Sequence, residues 1–352
     1  MGAGGNSLNQ NWETSVCVYL SVSGSAILHR KVARMTTFAV SRLTERREDR
    51  RYNRPGMRSK QRRFPFVQLD VFSSVALEGN PLAVFPDGRG LSDEEMQAVA
   101  REMNLSETTF VLPNDPAVEL ERGVRVRIFT VQEELPFAGH PTLGTAFVLR
   151  KAKASEIVLD LNVGKVPVRF VETRGQPVFG EMTQMDPKFG PRHDREAVVR
   201  ASGLRDGDID PSLPIETVST GVPFTVVPLR GLEVMSRLQV DLRGSQEYLQ
   251  KFGGHFFYFV TRETVDSAAR LHARMMFYNG EDPATGSAAG CAAAWMVANG
   301  IADPEEQALI EQGIEMRRPS RIFVRASRTD DRVVNVRVGG NVVEVVRGEI
   351  FF

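Results

Sequence analysis

Two short units of the chain follow one plan. Arg127-Ile128-Phe129 leads through a loop into AGHPTLGTAF, and Met275-Met276-Phe277 leads through a loop into PATGSAAGCA. In each, a β-like stretch is followed by a Gly/Pro turn and a small-residue run that reads as a helix. The units lie about half a folded chain apart, which predicts a duplicated architecture. Two similar α/β halves then face each other, with both helix N-termini aimed into one interdomain cleft. Each N-terminus offers free backbone N–H groups and a positive dipole end to an anion.

The second turn, EDPATGSAAG, invites a phosphate reading. A Walker A loop needs a lysine after its last glycine, yet Gly286 is followed by Ser287, and Gly280 is the nearest upstream glycine. No G-x-G-x-x-G spacing occurs there either. A smaller anion such as a carboxylate remains the candidate at Gly286 and Ser287. The bland alternative is that both residues simply start a helix.

Around these units the pattern is mixed α and β. FPFVQLDVF and Leu82–Phe85 read as strands. LSDEEMQAVAREMNL reads as a helix with Ser92 as N-cap, Glu95 completing a capping box, and Met96, Val99, Ala100 and Met103 as its buried stripe. The paired helices are expected at about 140–151 and 285–299. HDREAVVRASGL and SQEYLQKFGG read as helices, STGVPFTVVPL, HFFYFVTRE and LHARMMFYNG as strands, and RIFVRAS, VVNVRVGG and NVVEVVRGEIFF as three closing strands.

Residues 1–63 differ from the rest. Arg42 to Arg63 holds ten basic residues against three acidic ones and little that is apolar. Such a segment cannot bury a core and is expected to be disordered. It reads as a tail, a targeting peptide, or the result of a start codon placed too early, with Met57 nearer the true one. Val16–Leu28 lacks the charged flank of a secretory signal, and no apolar run approaches the roughly 20 residues of a membrane helix. Formal net charge is zero, which gives no reason to expect nucleic acid or an anionic membrane as a partner. The two cysteines, Cys17 and Cys291, support neither a disulfide framework nor a zinc site and fit a reducing, cytoplasmic setting.

Three side chains stand out as chemistry. Glu107 lies between a helix and an apolar strand, where burial would raise its pKa toward acid/base use. Asp282 precedes a proline that holds it in the loop beside the anion site. His140 sits in a Gly-His-Pro turn opening the first helix and takes the place matching Asp282. Each has a plainer reading as a cap or turn residue. His193, His255 and His272 are expected to be structural, Glu133 and Glu134 to be solvated or bonded within their loop, and Cys291 to be a core residue. No metal-ligand spacing occurs.

GNPLAVF, MQAVAREMNLSETTFV, ELPFAGHPTLGTA, STGVPFTVVPL and EDPATGSAAG, in that order, resemble the phenazine-biosynthesis (PhzF-like) isomerases over nearly all of Phe66 to Phe352. The resemblance implies the α+β diaminopimelate epimerase-like fold, each half a sheet wrapped around a central helix. The C-terminal strand then returns to the first half, giving halves of 64–184 plus 342–352 and 185–341. It implies a homodimer without metal or organic cofactor, acting on a small-molecule carboxylate. Glu107 becomes the proton carrier, His140 and Asp282 its catalytic partners, and Gly139, Gly286 and Ser287 the substrate binders. The racemases of this fold use two thiols, whose places fall at Ala138 and Pro283; neither is a cysteine, which disfavours racemase or epimerase chemistry. A non-catalytic carboxylate-binding protein is the alternative from another class.

Overall fold

Arg127 and Glu134 form a two-pronged ion pair, with N–O distances of 2.9 and 2.6 Å. Arg274 and Glu281 repeat it at 2.8 and 2.6 Å. Each pair spans the hairpin that delivers the chain into one of the two small-residue helices, so the duplicated plan extends to its ion pairs. The computed structural model describes residues 61–150, 154–277 and 280–352. The expectations for the tail up to residue 60, Cys17 and Met57 among them, for Lys151 and for Tyr278-Asn279 lie outside the described residues.

The first half runs β1 (Arg63–Val71), β2 (Asn80–Phe85), α1 (Asp93–Met103), β3 (Glu107–Val111), α2 (Pro116–Arg122), β4 (Val124–Phe129), β5 (Glu134–Leu135), α3 (Gly139–Leu149), β6 (Glu156–Leu161), β7 (Gly164–Val171) and β8 (Phe179–Thr183). The second runs β9 (Lys188–Arg192), α4 (Arg195–Ser202), β10 (Glu216–Ser219), β11 (Pro223–Pro228), α5 (Leu232–Ser236), α6 (Leu242–Phe252), β12 (Phe256–Thr261), β13 (Leu271–Phe277), β14 (Gly280–Asp282), α7 (Gly286–Ala298), β15 (Ala308–Gln312) and β16 (Ser320–Thr329), before β17 (Arg332–Phe351) closes the chain.

Strand pairing repeats between the halves. β2 and β3 pair parallel, β3 with β4 and β4 with β5 antiparallel, and β4 with β6 parallel. In the same order β11 and β12 pair parallel, β12 with β13 and β13 with β14 antiparallel, and β13 with β15 parallel. Helices cross between the members of each parallel pair, α1 and α3 in the first half, and α5 with α6, then α7, in the second. The central helices α3 and α7 are almost wholly buried and lie in one continuous core with the inner faces of the strands. α1 covers the outer face of its sheet through Phe85, Phe110 and Phe129. α4 and α6 do the same over Phe257 and Phe259.

The capping box of α1 forms as expected, Ser92 Oγ accepting from Glu95 N while Glu95 returns a bond to Ser92 N. Two expectations need correction. VVNVRVGG and NVVEVVRGEIFF are one strand, β17, which pairs in turn with β16, β8 and β1. Its central glycines mark close approach rather than a break: a Cβ on Gly339 would lie 2.6 Å from the Gly180 carbonyl oxygen. Order also reaches past the expected start at Phe64. Arg63 opens β1, and Arg62 exchanges backbone hydrogen bonds with Phe352 and lies 4.9 Å from the centre of its ring. No helix among the described residues is long and apolar enough to cross a membrane.

Candidate active site

α3 and α7 meet N-terminus to N-terminus. A Cβ on Gly139 would lie 2.4 Å from the Gly286 carbonyl carbon and 2.5 Å from Ser287 N, so only two glycines let these backbones touch. Neither helix has a side-chain cap at this end: the side chains of the N-caps, Ala138 and Thr285, make no capping hydrogen bond to it. An uncapped, buried helix start leaves backbone donors that call for an anionic partner.

Glu107, His140 and Asp282 gather beside these two starts. Glu107 is the first residue of β3 and is buried, with Oε2 lying 3.5 Å from His140 Nε2. Neither of those two atoms makes a hydrogen bond to the protein. Asp282 is its opposite. Its carboxylate accepts from Thr285 Oγ1 at 2.6 Å, Asn80 Nδ2 at 2.8 Å and Ser106 Oγ at 3.0 Å. Asn80 spends its second N–H on the Ala284 carbonyl at 2.8 Å and sits 3.1 Å from His140 Nδ1. Nε2, on the far side of the ring from Asn80, faces Glu107.

These surroundings set the charges. Burial pushes the Glu107 carboxyl well above the usual carboxylate range, and the nearby Asp282 charge pushes the same way. Burial also raises Asp282, to about 6, against the opposing pull of its three hydrogen bonds. Burial lowers His140 to about 3, so its imidazole is neutral at ordinary pH.

The duplication explains how the cavity became one-sided. Ile128 pairs with Leu135 as Met275 pairs with Asp282, so Asp282 is the counterpart of Leu135 and not of His140. His140 follows the first helix-opening glycine as Ser287 follows the second. Matching the two turns on their prolines misses this; matching them on the Arg–Glu ion pairs gives it. The same register sets Thr285, rather than Pro283, opposite Ala138, and Thr285 is no thiol either. Leu82 pairs with Glu107 as Phe224 pairs with Phe256, which makes Phe256 the counterpart of Glu107. Asn80, in Gly-Asn-Pro, corresponds to Val222, in Gly-Val-Pro. One wall thus carries Glu107, His140 and Asp282, with Asn80 behind them. The other carries Leu135, Phe224 and Phe256, and the space enclosed is about 20 Å³, room for about one water.

All six expected site residues line this cavity: Glu107, Gly139, His140, Asp282, Gly286 and Ser287. His255, expected to be structural only, lines it as well. Gln312 was missed entirely. Its amide donates to the Asp282 carbonyl at 2.7 Å and to Thr285 Oγ1 at 2.9 Å, and accepts from Thr285 N at 3.1 Å. Gln184 likewise donates to the Gly286 carbonyl at 3.0 Å. Of the remaining histidines, His193 bonds Tyr248 and Thr217, and His272 lies between Glu311 and Glu315. Cys291 is core, its thiol pushed up to about 11 by burial.

Comparison with known proteins agrees with the geometry. The model of the family described as phenazine biosynthesis-like protein matches residues 69–348. An uncharacterised isomerase from Mesorhizobium japonicum is 38% identical, over 81% of this chain and 98% of its own length. The trans-2,3-dihydro-3-hydroxyanthranilate isomerase of Pseudomonas chlororaphis is 36% identical over 81% of this chain and 98% of its own. The crystal structure of a Bacillus anthracis phenazine biosynthesis protein of the PhzF family superposes with a TM-score of 0.74 at 26% identity, covering 83% of this chain and 100% of that one. The shared fold is the diaminopimelate epimerase-like one, two similar halves each with a sheet around a central helix.

Proposed function

The chain belongs to the phenazine biosynthesis-like protein family and is an isomerase, and from that premise we propose that it moves a proton between carbons of a small unsaturated amino or hydroxy carboxylic acid, with Glu107 as the carrier. The observation that carries this reading is the pairing of a buried carboxyl, whose Oε2 has no hydrogen-bond partner among the described residues, with two helix starts in contact beside it that lack side-chain caps. The substrate carboxylate binds the backbone N–H groups of Gly139–His140 and Gly286–Ser287. Asp282, ionised and held by three donors, orients the substrate amino or hydroxyl group. His140, neutral, offers Nε2 for a hydrogen bond.

Glu107 takes a proton from the carbon next to the carboxylate. The double bond shifts along the chain, and Glu107 returns a proton to the far carbon, in part after exchange with solvent, so one C–H bond breaks and one forms with no net gain or loss. A raised pKa makes Glu107 a stronger base once ionised and a competent acid afterwards. No metal or organic cofactor is needed for this cycle. Admission of substrate requires the halves to part, and their closure keeps bulk water from the carbanion. The named substrate of the Pseudomonas chlororaphis relative, trans-2,3-dihydro-3-hydroxyanthranilate, is the first compound to offer; its carboxylate-bearing carbon is unsaturated and carries no hydrogen, so there the shift runs the other way, a proton leaving the saturated C–H at the far end of the diene and returning to the carboxylate-bearing carbon.

Proton NMR in deuterated water tests the reading with that compound and a panel of β,γ-unsaturated amino and hydroxy acids. Glu107→Gln keeps the shape and removes the carrier, and exchange is expected to fall by about 10²–10⁴-fold. Undiminished exchange in the variant would overturn the assignment of Glu107.

A further inference from the structure

Beside the catalytic cavity lies a second, larger space of about 330 Å³. His255, Phe256 and Phe277 are walls of both. The two spaces are thus adjacent, sharing a wall at the start of β12 and the end of β13, where Phe256 and Phe277 stand with ring centres 5.3 Å apart. The larger one continues over the outer face of the second sheet, beneath α6. Strand alternation builds it: Met275 points to the catalytic cavity and Met276 to the pocket. Its floor is Phe257, Phe259 and Leu249, and Gln132, from the first half, lies on its rim with Leu242 and Gln246 of α6.

The volumes separate the roles of the two spaces. The closed form leaves about 20 Å³ beside Glu107, room for a water and none for a substituent, so the carboxylate and reacting carbons enter only as the halves part. About 330 Å³ falls in the range of ordinary small-ligand pockets. An apolar floor with an amide-bearing rim fits a flat or branched apolar group carrying at most a hydrogen-bonding edge. Because a residue from each half contributes to its wall, the pocket is shaped by the same closure that completes the site.

We infer that this pocket receives an apolar, ring-sized substituent of the substrate whose carboxylate and reacting carbons occupy the catalytic cavity, and that it sets which unsaturated acids the enzyme accepts. The inference rests on the reading of Glu107 and the two helix starts given above. It assigns Leu242, Gln246 and Met276 to substrate selection and leaves the proton transfer to Glu107.

Calorimetry with two saturated, unreactive acids tests the pocket apart from the chemistry. These are 2-aminobutanoate and 2-amino-4-phenylbutanoate, which share a head group and differ by the phenyl ring. The wild type is expected to bind the phenyl compound about 10–200-fold more tightly, the range for filling an apolar pocket. Leu242→Trp, at a position 41% exposed, fills the pocket from its rim and should abolish most of that preference. Gln246→Trp does the same from a second rim position and guards against misfolding of the first variant. A wild-type preference under about threefold, a preference unchanged in both variants, or binding of neither acid overturns the inference. Deuterium exchange on 2-aminobut-3-enoate and 2-amino-4-phenylbut-3-enoate is read separately. Absence of exchange with intact, pocket-dependent binding sinks the isomerase mechanism and not the pocket.

Discussion

Gly139→Ala adds a single methyl group at the point where the two halves touch. Its Cβ would sit 2.4 Å from the Gly286 carbonyl carbon, 2.5 Å from Ser287 N and 2.6 Å from Gly286 Cα. Carbon atoms rest at about 3.5–4.0 Å, so the helix starts must separate by about 1 Å. α3 cannot back away to make room. A Cβ on Gly144, farther along it, would already lie 2.6 Å from Leu82 Cδ2 and 2.9 Å from Val71 Cγ2. Overpacking of this kind costs about 1–3 kcal/mol. A displacement of about 1 Å in a substrate-positioning element costs about 10²-fold in rate. Urea unfolding and the deuterium-exchange assay measure the two effects on one preparation. Gly253→Ala is the control: its φ of 71° imposes strain, yet nothing lies within 4 Å of the added Cβ, so it should lose about 1–2 kcal/mol and keep its rate. A Gly139→Ala protein with wild-type exchange, or a Gly253→Ala protein that loses as much rate, would refute the claim that contact of the helix starts sets the anion site.

Glu107→Gln should stabilise the fold increasingly as pH rises. The wild-type carboxyl titrates higher folded than unfolded, so its favourable term holds below about pH 4.5 and is lost as pH climbs through the raised folded value; unfolding at pH 5, 7 and 9 reads the difference. His140 has the reverse sign. Its folded value of about 3 lies below the unfolded 6.5, so at pH 5 the wild type should have lost roughly 2 kcal/mol that His140→Gln does not lose. The exchange rate should rise with pH as Glu107 ionises, above the usual carboxylate range, and Asp282→Asn, by removing a neighbouring charge, should move that rise to lower pH while slowing the reaction. Substrate carrying deuterium beside its carboxylate should, in ordinary water, give product with part of that label at the far carbon; complete loss of label would argue against a single carrier in a closed cavity.

Much of this fold is written locally. The capping box of α1 and the β-branched strands follow from neighbours in the chain. The two Gly-led helices follow from small residues that no surface helix would need in such density. α2 escaped because it buries no side chain and so has no apolar stripe. β17 read as two strands because Gly339-Gly340 looks like a turn until Gly180 is found against it. At the site, Glu107 was legible from its junction, but the true correspondence of the halves was not. Prolines suggested that Asp282 matches His140, while two Arg–Glu pairs at identical spacing tie it to Leu135. Gln312 and Gln184 left no local trace, because each acts on a turn brought to it only by the closed fold.

The corrected correspondence bears on chemistry. A racemase must meet both faces of its reacting carbon, since the proton leaves one face and returns to the other. In a duplicated fold the natural source of two such groups is one position used twice, once in each half. Here that position holds Glu107 in the first half and Phe256 in the second, and the residues before the helix-opening glycines are Ala138 and Thr285. One wall of the cavity carries Glu107, His140 and Asp282, and the other is mainly apolar, with His255 beside Phe256. A carboxyl confined to one face cannot invert a centre, yet it can follow that face from one carbon to another two bonds away. The one-sided placement of the carboxyl supports the proposed proton shift over an inversion, beside the missing thiols.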